Sequence, residues 1–152
     1  MKKLFEAGTY RILDANLNRA TEGMRVCEEV ARFILNDRLL TSKFKNMRHQ
    51  SFEALDSIEK LALVRKRNIL EDVGRNLLRG EMKRKNLQDI FFANMQRIKE
   101  SVRVLEEFSK LLNINSAVKL KKIRYNAYEL EKKITFKLSA LSDIKQGFLP
   151  AE

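Results

Sequence analysis

Two stretches of this 152-residue chain carry the same chemically capable side chains at the same spacing. Residues 15–29 read ANLNRATEGMRVCEE and residues 93–107 read ANMQRIKESVRVLEE. Eight of the fifteen positions are identical without a gap. Six of those eight are Asn, Arg or Glu: Asn16/Asn94, Arg19/Arg97, Glu22/Glu100, Arg25/Arg103, Glu28/Glu106 and Glu29/Glu107. A merely solvated helix face tolerates Lys for Arg and Gln for Glu. A retained arginine implies use of its planar fork, which matches carboxylates and phosphates. The chemistry implied is recognition of an anion, with Arg19 and Arg97 as a clamp. Asn16 and Asn94 serve either as ligand contacts or as a buried polar pair that fixes helix register. Glu22, Arg25, Glu28 and Glu29 have the i,i+3 and i,i+4 spacing of an ion-paired helix face, or of a ladder facing a cleft.

Further candidates lie outside the repeat. Arg48 and His49 follow Met47, and Arg124 and Tyr125 stand at the matching place after the second run, at a slightly changed offset. The segment RNILEDVG (67–74) is either an ordinary surface connection or a metal–phosphate loop. In the second case Asp72 holds Mg²⁺ and Gly74 lets backbone approach closely. The basic clusters at 65–67, 83–85 and 119–124 are solvated faces first and a steering field for anions second. Cys27 lies among apolar positions and is expected to pack as a small hydrophobe. No Walker-type phosphate loop, dinucleotide fingerprint, HExxH, CxxC or nucleophile elbow occurs.

These side chains need helices to hold them. Apolar residues recur every three or four positions from Tyr10 to Leu35, which predicts a long amphipathic helix starting at Gly8–Thr9 and stopping at Asn36–Asp37. With 100° per residue and Asn16 as zero, Ile12, Ala20, Gly23, Cys27, Val30 and Ile34 all fall within about 40°. Asn16 thus sits inside the apolar stripe and Arg19 at its border. Glu22, Arg25, Glu28 and Glu29 are expected on the far side. The second run places Asn94 and Arg97 likewise. A second helix is expected from a Thr41 cap toward Val64, a loop over 65–75, and a short helix near Leu77. A long helix capped by Asn86, with Asp89 at its third position, should run to Leu112. A last helix capped by Ser116 should reach Leu138, and 142–152 should be a tail. The fold class is therefore all-α: a bundle of about four main helices built from two pseudo-symmetric helical hairpins (about 9–64 and 86–141) in a single domain.

Composition narrows the partners. There are 31 Lys and Arg against 20 Asp and Glu, a net charge of +11, which suits an anionic partner. One cysteine and one histidine exclude a disulfide framework and a histidine-rich metal site within one chain. No apolar run exceeds four residues, so neither a membrane span nor a secretory leader is expected, and the cytoplasm is the default location.

Several of these segments together resemble one family. They are RILDANLNRATEGMRVCEEVARFIL (11–35), MRH (47–49), EDVG (71–74), ANMQRIKESVRVLEEFSK (93–110) and RYNAYELE (124–131). Over about residues 10–135 the chain resembles the helical domain found N-terminal to thiamine-phosphate synthase barrels in bacterial fusion proteins. That domain is understood as a monofunctional hydroxymethylpyrimidine-phosphate kinase. The resemblance implies ATP- and Mg²⁺-dependent phosphorylation of the pyrimidine monophosphate to the diphosphate, with a functional link to the synthase. Asp72 and His49 are the expected catalytic residues, with Asp72 also the metal ligand. Asn16, Arg19, Arg25, Arg48, Asn94, Arg97, Arg103 and Arg124 are the expected substrate and phosphate contacts. Asp14, Glu22, Glu28, Gly74, Glu100 and Glu106 support them. No barrel follows Glu152, so a free-standing domain or a fragment is expected; Cys27 and Ser101 replace the expected Leu and Ala, which touches packing alone.

Two other functions fit the residues. One is a non-catalytic helical interaction module, as a homodimer or docked on the synthase. The other is a nucleic-acid binder. Interleaved acidic residues and the lack of a recognition motif weigh against the latter.

Overall fold

The computed structural model describes residues 2–70, 72, 74 and 83–146. It contains α1 (Lys2–Glu29), a π-helical turn (Val30–Ile34), α2 (Arg38–Glu53), α3 (Lys60–Arg65), α4 (Leu87–Ser109) and α5 (Ile114–Gln146). No strand occurs among the described residues, and the protein is an all-α bundle. No helix among them is long and apolar enough to cross a membrane.

The two long repeat helices form the centre. The α1 helix packs on α4 and on α2, and α5 packs on α4 and on α2. Leu13, Ala20, Met24 and Cys27 of α1 meet Phe91, Met95, Ile98, Val102 and Leu105 of α4 in one core, closed from behind by Phe44 and Met47 of α2 and by Leu120, Ile134 and Leu138 of α5. Cys27 is fully buried, as its place in the stripe predicts, and burial pushes its thiol pKa well above the ordinary range. Close approach of α1 and α4 depends on Gly23. A Cβ there would stand 3.0 Å from Cγ1 of Ile98 and 3.1 Å from the carbonyl oxygen of Asn94. The same antiparallel register brings Cys27 Sγ to the carbonyl oxygen of Phe91. Extended along the pair, that register sets Arg19 level with Lys99 and Arg97 level with Thr21.

Helix ends depart from the expected boundaries for local reasons. The first helix begins at Lys2 rather than at Gly8–Thr9. Thr9 needs no capping role because its hydroxyl donates to the Phe5 carbonyl, 2.9 Å away. Asn36 and Asp37 do end it, with Asn36 in the left-handed region at φ 48°. Asp37, not Thr41, caps α2: its carboxylate accepts from the Leu40 N–H at 2.9 Å. That helix stops at Glu53 instead of reaching Val64. Ala54 is its C-cap, and turns closed by Leu55 N–H to Phe52 O and Ile58 N–H to Leu55 O carry the chain to the short α3, with Ala54, Leu55 and Ile58 buried. Asn86 caps α4 as expected, accepting from the Asp89 N–H at 2.8 Å. The α4 helix ends at Ser109, with turns carrying the chain to Asn113. Asn113 rather than Ser116 caps α5, its side-chain Oδ1 accepting from the N–H groups of Asn115 and Ser116. The α5 helix continues past Leu138 to Gln146, into the expected tail. The helix expected near Leu77 lies outside the described residues.

Candidate anion-binding site

The repeated acidic and basic residues divide into two groups with different fates. The first group ties the helices of each hairpin. Glu28 is buried between α1 and α2, taking Arg25 at 3.0 Å and Arg48 at 3.3 Å on its two carboxylate oxygens. Glu106 does the same between α4 and α5, taking Arg103 at 3.2 Å and Arg124 at 2.9 Å. Arg25 also reaches Glu29, and Arg103 reaches Glu107. Glu28 and Glu106 therefore turn inward toward the hairpin partner rather than outward, contrary to the expected far side. Arg25, Arg48, Arg103 and Arg124, expected at a substrate, have their guanidinium groups committed to these carboxylates. Twenty positions separate Glu28 from Arg48, and eighteen separate Glu106 from Arg124. The π turn takes up part of that difference: its bonds from Leu35 N–H to Val30 O and from Asp37 N–H to Ala31 O span five and six residues instead of four.

The second group is Asn16, Arg19 and Glu22, with Asn94, Arg97 and Glu100. Both triads lie on the side of the α1–α4 pair away from α2 and α5, because each occupies the same sector of its helix and the helices are antiparallel neighbours. The first triad lines a cavity of about 690 Å³ between α1 and the segment after α3. Arg11, Asp14, Asn18, Arg67, Asn68 and Asp72 complete its walls. Asn16 is 8% exposed and donates to the Ile12 carbonyl at 2.9 Å. Arg19 and Glu22 are exposed to the cavity and have no ion pair among the described residues.

A bidentate pair closes the roof. Arg67 donates from Nε and from a terminal nitrogen to the two carboxylate oxygens of Asp14, at 2.6 and 2.7 Å. Asp14 is 6% exposed, and its hold on Arg67 raises the guanidinium pKa further above its ordinary value. Arg11 adds a bond to the Asn68 carbonyl. Beyond the roof, Asp72 accepts from the Gly74 N–H at 2.9 Å. Gly74 is not at positive φ, so the property it uses is its N–H rather than its conformational freedom.

Of the expected residues, the fold thus brings Asp14, Asn16, Arg19, Glu22 and Asp72 together, with Gly74 beside them. Asn94, Arg97 and Glu100 share the open face outside the cavity walls. His49 is exposed on α2, on the other side of α1 from the cavity. Sequence reasoning missed Arg11 as a cavity residue, and it placed Arg67 in the candidate loop without foreseeing its bond to Asp14. No local spacing announces a partner 53 positions away, which is the separation of Arg67 from Asp14.

The lining pairs guanidinium groups with carboxylates. Guanidinium forks take phosphate oxygens, and Mg²⁺ is held by one or two carboxylates with phosphates completing its shell. Asp72 and Glu22 supply that number, so the residues fit Mg²⁺ held together with a polyphosphate. Among the described residues no group of three or more His, Cys, Asp or Glu converges as a free-standing metal site.

The fold and site together define an all-helical domain of two tied hairpins with a mixed-charge cavity on its open face. The chain belongs to the ThiD2 family, whose profile matches residues 11–133. It is 37% identical over 133 residues to a thiamine-phosphate synthase of Rhodopirellula baltica, covering 87% of this chain and 36% of that one. It is 39% identical over 131 residues to one of Nostoc punctiforme, covering 86% and 36%, and 40% identical over 122 residues to one of Synechocystis sp., covering 80% and 34%. The chain thus spans about a third of the length of the curated relatives it matches. No solved structure matches it.

Proposed function

We propose that this chain acts in thiamine biosynthesis, phosphorylating hydroxymethylpyrimidine monophosphate to the diphosphate with ATP and Mg²⁺. The observation that carries the reading is the roofed cavity on α1, in which Arg11, Arg19 and Arg67 stand with Glu22 and Asp72. The names of its relatives, all thiamine-phosphate synthases, support the biosynthetic setting.

The step fits the side chains at hand. An oxygen of the acceptor phosphate attacks the γ-phosphorus of ATP, the bond to the β-phosphate oxygen breaks, and ADP leaves. The acceptor is a phosphate monoester, whose second ionisation lies near pH 6, so its oxygen is already anionic at neutral pH. No general base is required, and the distance of His49 from the cavity is no obstacle. Catalysis then consists of positioning and charge neutralisation. Arg19 and Arg11 bind donor phosphates, Asp72 and Glu22 hold the metal ion, and the Arg67–Asp14 pair keeps the loop bearing Asp72 against α1. Mg²⁺, when bound, supplies neutralisation of the charge that builds on the transferring phosphoryl group.

Turnover of hydroxymethylpyrimidine monophosphate by the purified chain, with ATP and Mg²⁺, tests this reading. Arg19→Ala should lower kcat/KM by roughly 100-fold, the scale of losing a charged contact to a transferring phosphoryl group. An unchanged rate in Arg19→Ala overturns the assignment, and a wild-type chain that makes no diphosphate overturns the reaction. In the latter case the domain is a non-catalytic module docked on the synthase, a reading favoured by the exposed Phe33, Leu39 and Phe136 at one end of the bundle.

A further inference from the structure

Six repeated Asn, Arg and Glu positions are retained as identities, and the hairpin ties account for only some of them. Arg25, Glu28 and Glu29 are used in ion pairs, and so are Arg103, Glu106 and Glu107. The Asn94, Arg97 and Glu100 triad has no such use. Arg97 and Glu100 are exposed and make no ion pair among the described residues; among them, the one side-chain hydrogen bond of either is that accepted by Glu100 from Gln96, within α4. Asn94 nevertheless holds the same posture as Asn16. Its side-chain nitrogen donates to the Ile90 carbonyl at 2.8 Å, as that of Asn16 donates to Ile12 at 2.9 Å. Each carboxamide keeps its oxygen and its second N–H for something else.

The two triads share one open face, and the antiparallel register sets Arg19 and Arg97 on either side of the helix crossing. A pseudo-twofold axis runs between them. Two ligands bound alike by the two triads would point their phosphates toward that axis from opposite ends of the α1–α4 layer. Phosphoryl transfer between two phosphate-bearing molecules needs that arrangement, since attacking and leaving oxygens lie roughly in line across the transferred phosphorus.

We propose that the α4 triad is a second phosphate half-site, and that the two halves divide the substrates between them. This inference rests on the phosphotransfer reading above. The α1 half, with the added Arg11, Asp72 and the roof, takes the nucleoside triphosphate with its metal ion. The α4 half has a single guanidinium and no roof among the described residues. It takes the phosphate monoester, with Arg97 on the phosphate and Asn94 beside it.

Steady-state kinetics on the full chain separates the halves. Arg97→Ala should raise KM for hydroxymethylpyrimidine monophosphate roughly tenfold or more with KM for ATP within about twofold, and Arg19→Ala should do the reverse. Titration calorimetry supplies a readout that needs no turnover, with Mg²⁺–tripolyphosphate and inorganic phosphate as probes. Both should bind the wild-type chain together, phosphate being lost in Arg97→Ala and tripolyphosphate in Arg19→Ala. Equal effects of each variant on both ligands, or the opposite split, overturn the inference while leaving the reaction intact. Separate binding of both probes by a chain that forms no diphosphate sinks the reaction and keeps the two half-sites. Failure of the wild-type chain to bind either probe overturns both.

Discussion

Glu28 and Glu106 occupy matching places in the two hairpins, yet they hold their cross-helix arginines differently. Arg124 gives Nε to Glu106 at 2.9 Å and a terminal nitrogen to the Tyr128 hydroxyl at 3.2 Å, and it lies near the faces of Tyr125 and Tyr128. Its side chain is 11% exposed, and Glu106 followed by Tyr128 holds its pKa above the ordinary value. Arg48 reaches Glu28 through a terminal nitrogen at 3.3 Å, and its Nε is buried without a partner among the described residues. Its side chain is 23% exposed. At the places of Tyr125 and Tyr128 the first hairpin carries His49 and Phe52. A buried carboxylate demands its arginine in both hairpins, so that contact survives duplication. The neighbours that refine it are under no such demand, and they have diverged.

The largest effect separating the hairpins should come from removing the carboxylates. Glu106→Ala leaves Arg124 buried and unpaired and should cost about 3 kcal/mol, whereas Glu28→Ala should cost about 1–2 kcal/mol because Arg48 is closer to water. Urea unfolding of both variants measures the gap, and equal costs would break the comparison. Next come the caps. Asp37→Ala and Asn113→Ala should each cost about 1 kcal/mol at neutral pH. Only the first should depend on acid. The Leu40 N–H, and then Lys137, hold the Asp37 carboxylate below its ordinary pKa. Because its folded pKa is the lower one, its contribution is complete above the unfolded carboxylate pKa and is lost as pH falls through the folded value. The Asp37→Ala deficit should therefore shrink in acid while the Asn113→Ala deficit stays level, as thermal melts at pH 7 and pH 3 would show. The smallest effect is Tyr128→Phe, at about 0.5 kcal/mol for one half-exposed hydrogen bond, with no counterpart to remove beside Arg48. A loss of 2 kcal/mol or more in the same unfolding assay would mean that the aromatic pair, not the carboxylate, holds the second hairpin.

The fold was legible because it rests on periodicity. The stripe through Leu13, Ala20 and Cys27 and its twin through Ile98 and Leu105 required two long helices in contact. Half of the candidate site was legible too, since Asn16, Arg19 and Glu22 stand out by repetition. What repetition could not separate was purpose. Arg19 and Arg25 are equally retained, but one opens on the cavity and the other ties a hairpin. The difference is a rotation of 240° around the helix relative to where α2 lies, and only the packing of α2 fixes that direction. Roof residues stayed hidden for another reason. Arg67 matters through Asp14, and a contact between a loop and a distant helix leaves no spacing to read. Caps were misplaced at Thr41 and Ser116 because several residue types can accept an N–H, and the choice among neighbours depends on where the preceding turn delivers the chain.

The π turn at Val30–Ile34 has a consequence for how this architecture can vary. It shows that the connection between paired helices absorbs extra residues as a local bulge, upstream of a cap, without shifting which arginine meets which glutamate. Insertions and deletions are thereby channelled to the bundle's rim, at the far end of α1 from the cavity roof. Length can drift there over evolutionary time while the face that carries Arg19 and Arg97 keeps its geometry.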